Sequence, residues 1–203
     1  MKIVCVGRNY AEHAKELGNE IPAEPVIFMK PENALLQDHA AFPYPEFTKN
    51  LHFECELVLR ICKGGTNISE SSASEYYDAI TVGIDFTARD VQDEMKKNGL
   101  PWEKAKAFDN AAVAGKFLDI RDFSDRKSLQ FSLNKNGKEV QRGNSDNMLF
   151  AFDSIIEHIS RYFYLNEGDL IYTGTPEGVG PCIAGDVLEG FIGEQKLFSL
   201  TVN

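Results

Sequence analysis

The chain has 203 residues, of which 43% are hydrophobic and 11% aromatic, and a formal net charge of −10, so it carries enough apolar material for one packed domain and too much for a disordered chain. The acidic balance, with basic residues scattered in runs no longer than the pair Lys96-Lys97, argues against a nucleic-acid surface. No apolar run approaches a membrane span, and Ile3–Val6 is too short for a signal-peptide core. Four cysteines at 5, 55, 62 and 182, lacking Cys-x-x-Cys spacing and set within apolar patterns, predict buried, reduced thiols in a cytoplasmic protein.

In chain order, residues 1–7 read as a buried strand. A short helix through Leu17 follows, with Tyr10, Ala14 and Leu17 on one face and Gly18-Asn19 as its stop. His13 and Glu16 lie three apart on it and are surface neighbours. Five prolines between Ile21 and Pro45 preclude long helices, leaving a loop, one strand at Val26–Lys30 and another loop.

The stretch Leu51–Leu59 reads as one strand with Phe53, Cys55, Leu57 and Leu59 on one face and His52, Glu54, Glu56 and Val58 on the other. Glu54 and Glu56 are then roughly 7 Å apart. The pair suits either a half-exposed polar edge or a hard divalent cation held between two acids. Ser71–Tyr77 reads as about one helical turn. Ala79–Asp85 is a buried strand ending on an acid at a strand-to-helix junction. Thr87-Ala88-Arg89-Asp90 resembles a capping box, opening a helix with Val91 and Met95 inward and closing at Asn98-Gly99.

Pro101–Asp109 reads as a loop holding the only tryptophan, Trp102, beside Lys104 and Lys106. Asn136-Gly137 predicts a type I′ hairpin within residues 128–142. A helix with Ile155, Ile156, Ile159 and Phe163 on one face follows. Strands return at 169–172, 186–190 and 196–200. Between the first two, Thr173–Pro181 is a breaker-rich loop that could offer backbone N–H groups to an anion but lacks the nucleotide-binding pattern. Short strands separated by turns and single helices predict an α+β, β-rich fold.

Taken together, Arg8-Asn9-Tyr10-x-x-His13-x-x-Glu16, Glu54-x-Glu56, Asp85, Lys106-x-Phe108-Asp109 and Thr173-Gly174-Thr175-Pro176-x-Gly178-Val179-Gly180 resemble the fumarylacetoacetate hydrolase superfamily over nearly the whole chain. The stretches Asp85–Gln92 and Gly99–Trp102 most resemble its short acylpyruvase and oxaloacetate decarboxylase branch. The resemblance implies mixed sheets rolled into a barrel-like core with a few short helices, a lid over about residues 10–25, and a homodimer. It implies Glu54, Glu56 and Asp85 as ligands of Mg²⁺ or Mn²⁺, an all-oxygen set that suits hard cations. It further implies His13 and Glu16 as a catalytic pair, Lys106 as a cation on the substrate's oxygens, and Arg89, Gln92 and Thr175 as substrate contacts.

The expected substrate is a small 2-oxo acid. Water attack on an acylpyruvate, or loss of CO₂ from oxaloacetate, releases the same pyruvate enolate. His13, oriented by Glu16, would serve as the base for the water. Because both chain and substrate are negative, attraction must be local, from the cation, Lys106, Arg89 and Arg8. Isomerase, tautomerase or hydratase action on oxaloacetate or unsaturated dicarboxylates such as 2-hydroxymuconate derivatives is the alternative on this scaffold; a non-catalytic module with a structural cation is a third reading. No Gly-x-Ser-x-Gly elbow supports a serine nucleophile.

Overall fold

The computed structural model describes residues 1–16, 18, 20–36 and 41–203. The C-terminal end of the first helix, expected at Leu17 and Asn19, lies outside them. Among the described residues the strands form three sheets. The largest runs Val26–Lys30, Ile3–Gly7, Leu170–Tyr172, Cys55–Ile61, Tyr77–Asp85, Ala112–Ala114, with Leu118–Asp119 also paired to Tyr77–Asp85. The second runs Lys138–Asn144, Gln130–Lys135, Val187–Ile192, Gln195–Val202, Ala41–Phe42, and a small third sheet joins Gly180–Pro181, Leu51–Phe53 and Thr87–Ala88. No helix among the described residues is long and apolar enough to cross a membrane.

The strand period of two sorts the largest sheet into two unlike faces. Val4, Val6, Leu57, Leu59, Val82, Ile84, Val113 and Ile171 join the main core, which they share with Phe131, Leu133, Leu188 and Leu200 of the second sheet. The alternate residues Ile3, Cys5, Val58, Ala112, Ala114, Leu170 and Tyr172 form a smaller cluster. Glu56 shares the parity of Val58. Asp85 and Lys30 fall on this same side, since Ile84 belongs to the main core and Phe28, two residues from Lys30, packs on the smaller cluster. The charged residues therefore never enter the main core, and Cys55, on its face, packs there as expected.

The stretch 51–59 is not one strand. The chain changes sheets at Glu54, because the Cys55 N–H is taken by the Gln141 side chain (2.9 Å) and Leu51–Phe53 pairs with Gly180–Pro181 and Thr87–Ala88. The register survives the break: Leu51 faces Ala88 and Cys55 faces Ile84. Glu54 accordingly falls opposite Asp85, whose N–H donates to the Glu54 carbonyl at 2.8 Å. Nor is the stretch half-exposed, since of residues 51–59 only His52 is not buried.

Other expectations are corrected locally. The capping box does not form: Thr87 belongs to a strand, and the Asp90 carboxylate accepts from Thr48 Oγ (2.5 Å) and Lys49 N (2.9 Å). Helix Arg89–Lys97 buries Arg89, Gln92 and Met95, leaving Val91 half-buried, and a short helix Glu103–Lys106 occupies the expected loop. Phe163 lies beyond helix Phe152–Tyr162 and is exposed, while Cys62 is only half-buried. The hairpin is as expected, Asn136 and Gly137 both having positive φ as a type I′ turn requires.

Gly83 stands opposite Glu56 in this register. A Cβ there would meet the Val113 carbonyl oxygen at 2.2 Å and Val58 Cγ2 at 2.8 Å. Backbone cannot yield as a side chain does, so Gly83→Ala is expected to destabilise the protein by about 2–3 kcal/mol, read as a lower midpoint in urea denaturation with an unchanged slope.

Candidate metal centre and active site

Cross-strand register and strand period together build the site. Glu54 and Asp85 face one another across the interrupted ladder, and Glu56 lies two residues beyond Glu54. One carboxylate oxygen from each of the three lies within 4.8 Å of the others, and all three residues are buried. Around them stand three cations. Arg89 Nη2 donates to Glu54 Oε1 (2.5 Å) and through Nη1 to Gln92 Oε1 (2.6 Å). Lys106 Nζ donates to Glu54 Oε2 and to Asp85 Oδ2, both at 2.7 Å.

The third cation, Lys30, is missing from the sequence reading. Its side chain is fully buried, with Nζ 2.6 Å from Asp85 Oδ1 and donating to the carbonyls of Ala111 (3.0 Å), Phe86 (3.4 Å) and Lys106. The contact with Asp85 is ionic and not an aligned hydrogen bond, so Oδ1 remains an unsatisfied buried acceptor. A lysine closing the apolar run Val26–Met29 was the only signal available, and it was not specific.

Among the described residues Glu56 has no ion-pair partner of its own. Its Oε2 accepts from Gly174 N at 2.7 Å, presented by a loop whose Gly174 has φ +100 and whose Cβ would meet Asn9 Cβ at 2.6 Å. Burial, then the charges of Asp85 and Glu54, push the Glu56 carboxyl well above its usual range. Burial also opposes ionisation of Glu54, but Lys106, Arg89 and His13 outweigh it and hold that carboxyl well below its usual range. Burial likewise works against the Lys106 ammonium, and Asp85 and Glu54 more than offset it, so this lysine stays protonated.

These residues fit a hard divalent cation. The donors are all oxygen, one carboxylate keeps an oxygen with no hydrogen-bond donor, and burial with the charges of its neighbours raises the carboxyl of another.

His13 is buried and faces the same pocket, which is also lined by Arg8, Phe28, Gln92, Lys96, Trp102 and Thr175. Its Nδ1–H donates to Glu16 Oε2 (3.2 Å), and Glu16 in turn accepts from Gly178 N (3.2 Å), tying the six-residue helix Ala11–Glu16 to the Thr173–Pro181 loop. Thr175 Oγ accepts from Gln141 Nε2 at 2.9 Å. The structure thus brings every sequence-predicted site residue to one pocket or to its immediate support. Gln141 and Asn9 are additional supports: Asn9 Nδ2 donates to the carbonyls of Thr173 (2.7 Å) and Phe150 (3.0 Å).

Residues 2–200 match the family described as fumarylacetoacetate (FAA) hydrolase C-terminal. The chain is 43% identical over 188 residues to the mitochondrial oxaloacetate tautomerase fahd-1 of Caenorhabditis elegans, covering 93% of this chain and 88% of the relative. It is 41% identical over 191 residues to the oxaloacetate tautomerase YcgM of Escherichia coli K12, covering 92% and 86%. The crystal structure of a fumarylpyruvate hydrolase from Pseudomonas aeruginosa, in complex with Mn²⁺ and pyruvate, superposes with a TM-score of 0.93 at 37% identity, covering 100% of this chain and 89% of that one.

A carboxyl whose folded pKa is raised keeps its stabilising proton at low pH and loses that contribution as pH rises through the folded pKa. In chelator-treated protein, Glu56→Gln is therefore expected to raise Tm, with the gain growing as pH rises above the ordinary carboxylate range. The same variant should lose Mn²⁺ affinity in calorimetry. A Glu56→Gln protein less stable than wild type at every pH would contradict the charge repulsion inferred at this residue.

Proposed function

The chain belongs to the fumarylacetoacetate hydrolase family, and we propose that it is a divalent-cation-dependent enzyme that forms and consumes the enolate of small 2-oxo acids, hydrolysing acylpyruvates and decarboxylating oxaloacetate. The observation that carries this reading is buried His13, bonded to the exposed Glu16 and facing the same pocket as three convergent carboxylates. A base beside a cation site is the equipment for enolate chemistry.

Glu54, Glu56 and Asp85 would hold Mg²⁺ or Mn²⁺, which when bound supplies the Lewis acidity that stabilises enolate charge on a chelating 2-oxo acid. Donation of Nδ1–H to Glu16 leaves His13 Nε2 as the free base. In hydrolysis Nε2 takes a proton from water as the oxygen attacks the distal acyl carbonyl; the bond between that carbonyl and C3 breaks, its electrons form the enolate, and His13 returns the proton as pyruvate is made. Lys106 and Arg89, each bonded to Glu54, add positive charge near the enolate without reorganising. In decarboxylation the enolate forms by loss of CO₂ and no water is activated.

A second reading is tautomerisation of oxaloacetate, in which His13 moves a proton between C3 and the 2-oxo oxygen and no carbon–carbon bond breaks. It is favoured by the names of the worm and bacterial relatives. We carry a homodimeric assembly over from the family resemblance and a cytoplasmic setting from the sequence, the latter in keeping with four free cysteines. The helix Ala11–Glu16 and the residues after it would form the lid that brings His13 into place.

Pyruvate release from acetylpyruvate and from oxaloacetate should appear with Mg²⁺ or Mn²⁺ and vanish with chelator. Accelerated loss of oxaloacetate enol absorbance without pyruvate release would instead select the tautomerase. His13→Ala is expected to lower acylpyruvate hydrolysis by about 10²–10⁴-fold and oxaloacetate decarboxylation less. Equal losses on the two substrates would remove His13 as the water-activating base.

A further inference from the structure

One buried amide outside the pocket reaches the acid cluster through the backbone. Asn9 is fully buried, and both polar atoms of its side chain are engaged. Oδ1 accepts from Phe150 N (2.8 Å), while Nδ2 donates to Phe150 O (3.0 Å) and to Thr173 O (2.7 Å). Because Phe150 N can only donate and the two carbonyls can only accept, the orientation of the amide is fixed. Leu149 N donates to the Asn9 carbonyl at 2.8 Å, so the backbone of Asn9 is held as well.

Thr173 O and Gly174 N–H belong to one peptide unit. In a trans peptide they point in opposite directions within a single plane. One side meets Asn9 Nδ2, and the other meets Glu56 Oε2 at 2.7 Å. The unit is therefore gripped from both sides, and each bond polarises the other. The loop is fastened to the same strand beside this contact: Thr173 N (3.1 Å) and Thr173 Oγ (2.9 Å) both donate to the carbonyl of Leu57, the residue after Glu56. A Cβ on Gly174 would meet Asn9 Cβ at 2.6 Å, so only glycine lets the loop approach Asn9 this closely. On the other side of the contact Arg8 has φ +59, left-handed backbone that non-glycine residues avoid, at the turn that carries the chain from strand Ile3–Gly7 into Asn9. Two unusual backbone positions thus frame one contact.

The bond matters because of what Glu56 lacks. Glu54 and Asp85 are each held by two side-chain cations, whereas Gly174 N–H is the only hydrogen-bond donor to Glu56 among the described residues. We propose that Asn9 is a positioning residue for Glu56, acting through the Thr173–Gly174 peptide, so that it sets the affinity of the acid cluster for a divalent cation without touching the cation. The inference rests on the reading that Glu54, Glu56 and Asp85 hold that cation. Aspartate at this position would present only acceptors to two carbonyls, and alanine would remove all three side-chain bonds.

Mn²⁺ binding to chelator-treated protein, followed by the electron paramagnetic resonance of the free ion, tests this without turnover. Asn9→Ala and Asn9→Ser are each expected to weaken Mn²⁺ binding about tenfold or more. In a Glu56→Gln background the same substitutions should weaken it by no more than about threefold, because the carboxylate they position is gone. An equal loss in both backgrounds would mean that Asn9 only orders the loop, and would overturn the assignment. Wild-type protein gives an answer even where the variants do not fold: in a Mg²⁺ titration followed by NMR, the Asn9 side-chain amide and the Gly174 backbone amide should shift together, and an Asn9 amide unmoved at saturation would also overturn it. Mn²⁺ binding that depends on Glu56 but not on Asn9 would sink this assignment alone and leave the cation reading intact. Wild type that binds neither ion would remove the cation reading and the assignment with it.

Discussion

Three carboxylates buried within one small volume set the terms for the whole molecule. Taking a carboxylate out of water costs several kcal/mol unless it is paired, and here Glu54 and Asp85 take all three neighbouring cations, Lys30, Lys106 and Arg89. Glu56 is left with a backbone N–H. The metal-free cluster is thus balanced in total charge but not in its distribution, and the imbalance sits on one residue. A dication would reverse it, since Glu56 would become a ligand and the burial that raises its carboxyl would be offset by the cation's charge. Stability in the absence of metal and affinity for metal therefore pull against each other at Glu56, as is common where function requires buried charge.

The fold meets this demand by keeping polar work off the main core. Alternation along the largest sheet assigns one face to an apolar cluster shared with the second sheet and the other to a smaller cluster at whose end the acids sit. The break at Glu54 has a local function. With the Cys55 N–H bonded to Gln141, the strand leaves one sheet and enters another without losing register, so Glu54 and Asp85 stay opposite each other where two sheets part. A continuous ladder would place both acids within a flat sheet surface. The parting leaves room for Arg89, at the start of its helix, to reach Glu54.

How much of this was legible in the sequence depended on the range of the interaction. Short-range patterns carried well: the strand at Ala79–Asp85, the Asn136-Gly137 hairpin and the Glu-x-Glu pair all follow from spacing of one to four residues. The errors were tertiary. Thr87-Ala88-Arg89-Asp90 has the composition of a capping box, but pairing with Leu51–Phe53 drew Thr87 into a strand, and Thr48 and Lys49 claimed the Asp90 carboxylate. Lys30 looked like the end of an apolar run because its partners lie 55 to 81 residues away in the chain, where no local pattern could announce them. Lys106 was expected to face substrate alone; its bonds to Glu54 and Asp85 make it part of the acid cluster as well.

The three carboxylates and His13 stand on elements of very different strength. Glu56 and Asp85 belong to central strands packed on both faces, and Glu54 adjoins them. His13 rides on a helix described over Ala11–Glu16, with Gly18 already at positive φ, so it is far shorter than the ~12–15 residues that an isolated helix needs to be even marginal in water. That helix borrows its order from outside: Tyr10 bridges to Met148, and Glu16 spans His13 and Gly178. Glu16 consequently has two coupled tasks, fixing the imidazole tautomer and fastening the helix to the loop that also gives Gly174 N to Glu56. Ordering of His13 and orientation of Glu56 thus share one loop. The order of this short helix and the hydrogen bond to Glu56 therefore depend on the same loop, whereas the bonds of Glu54 and Asp85 to Lys106, Arg89 and Lys30 do not.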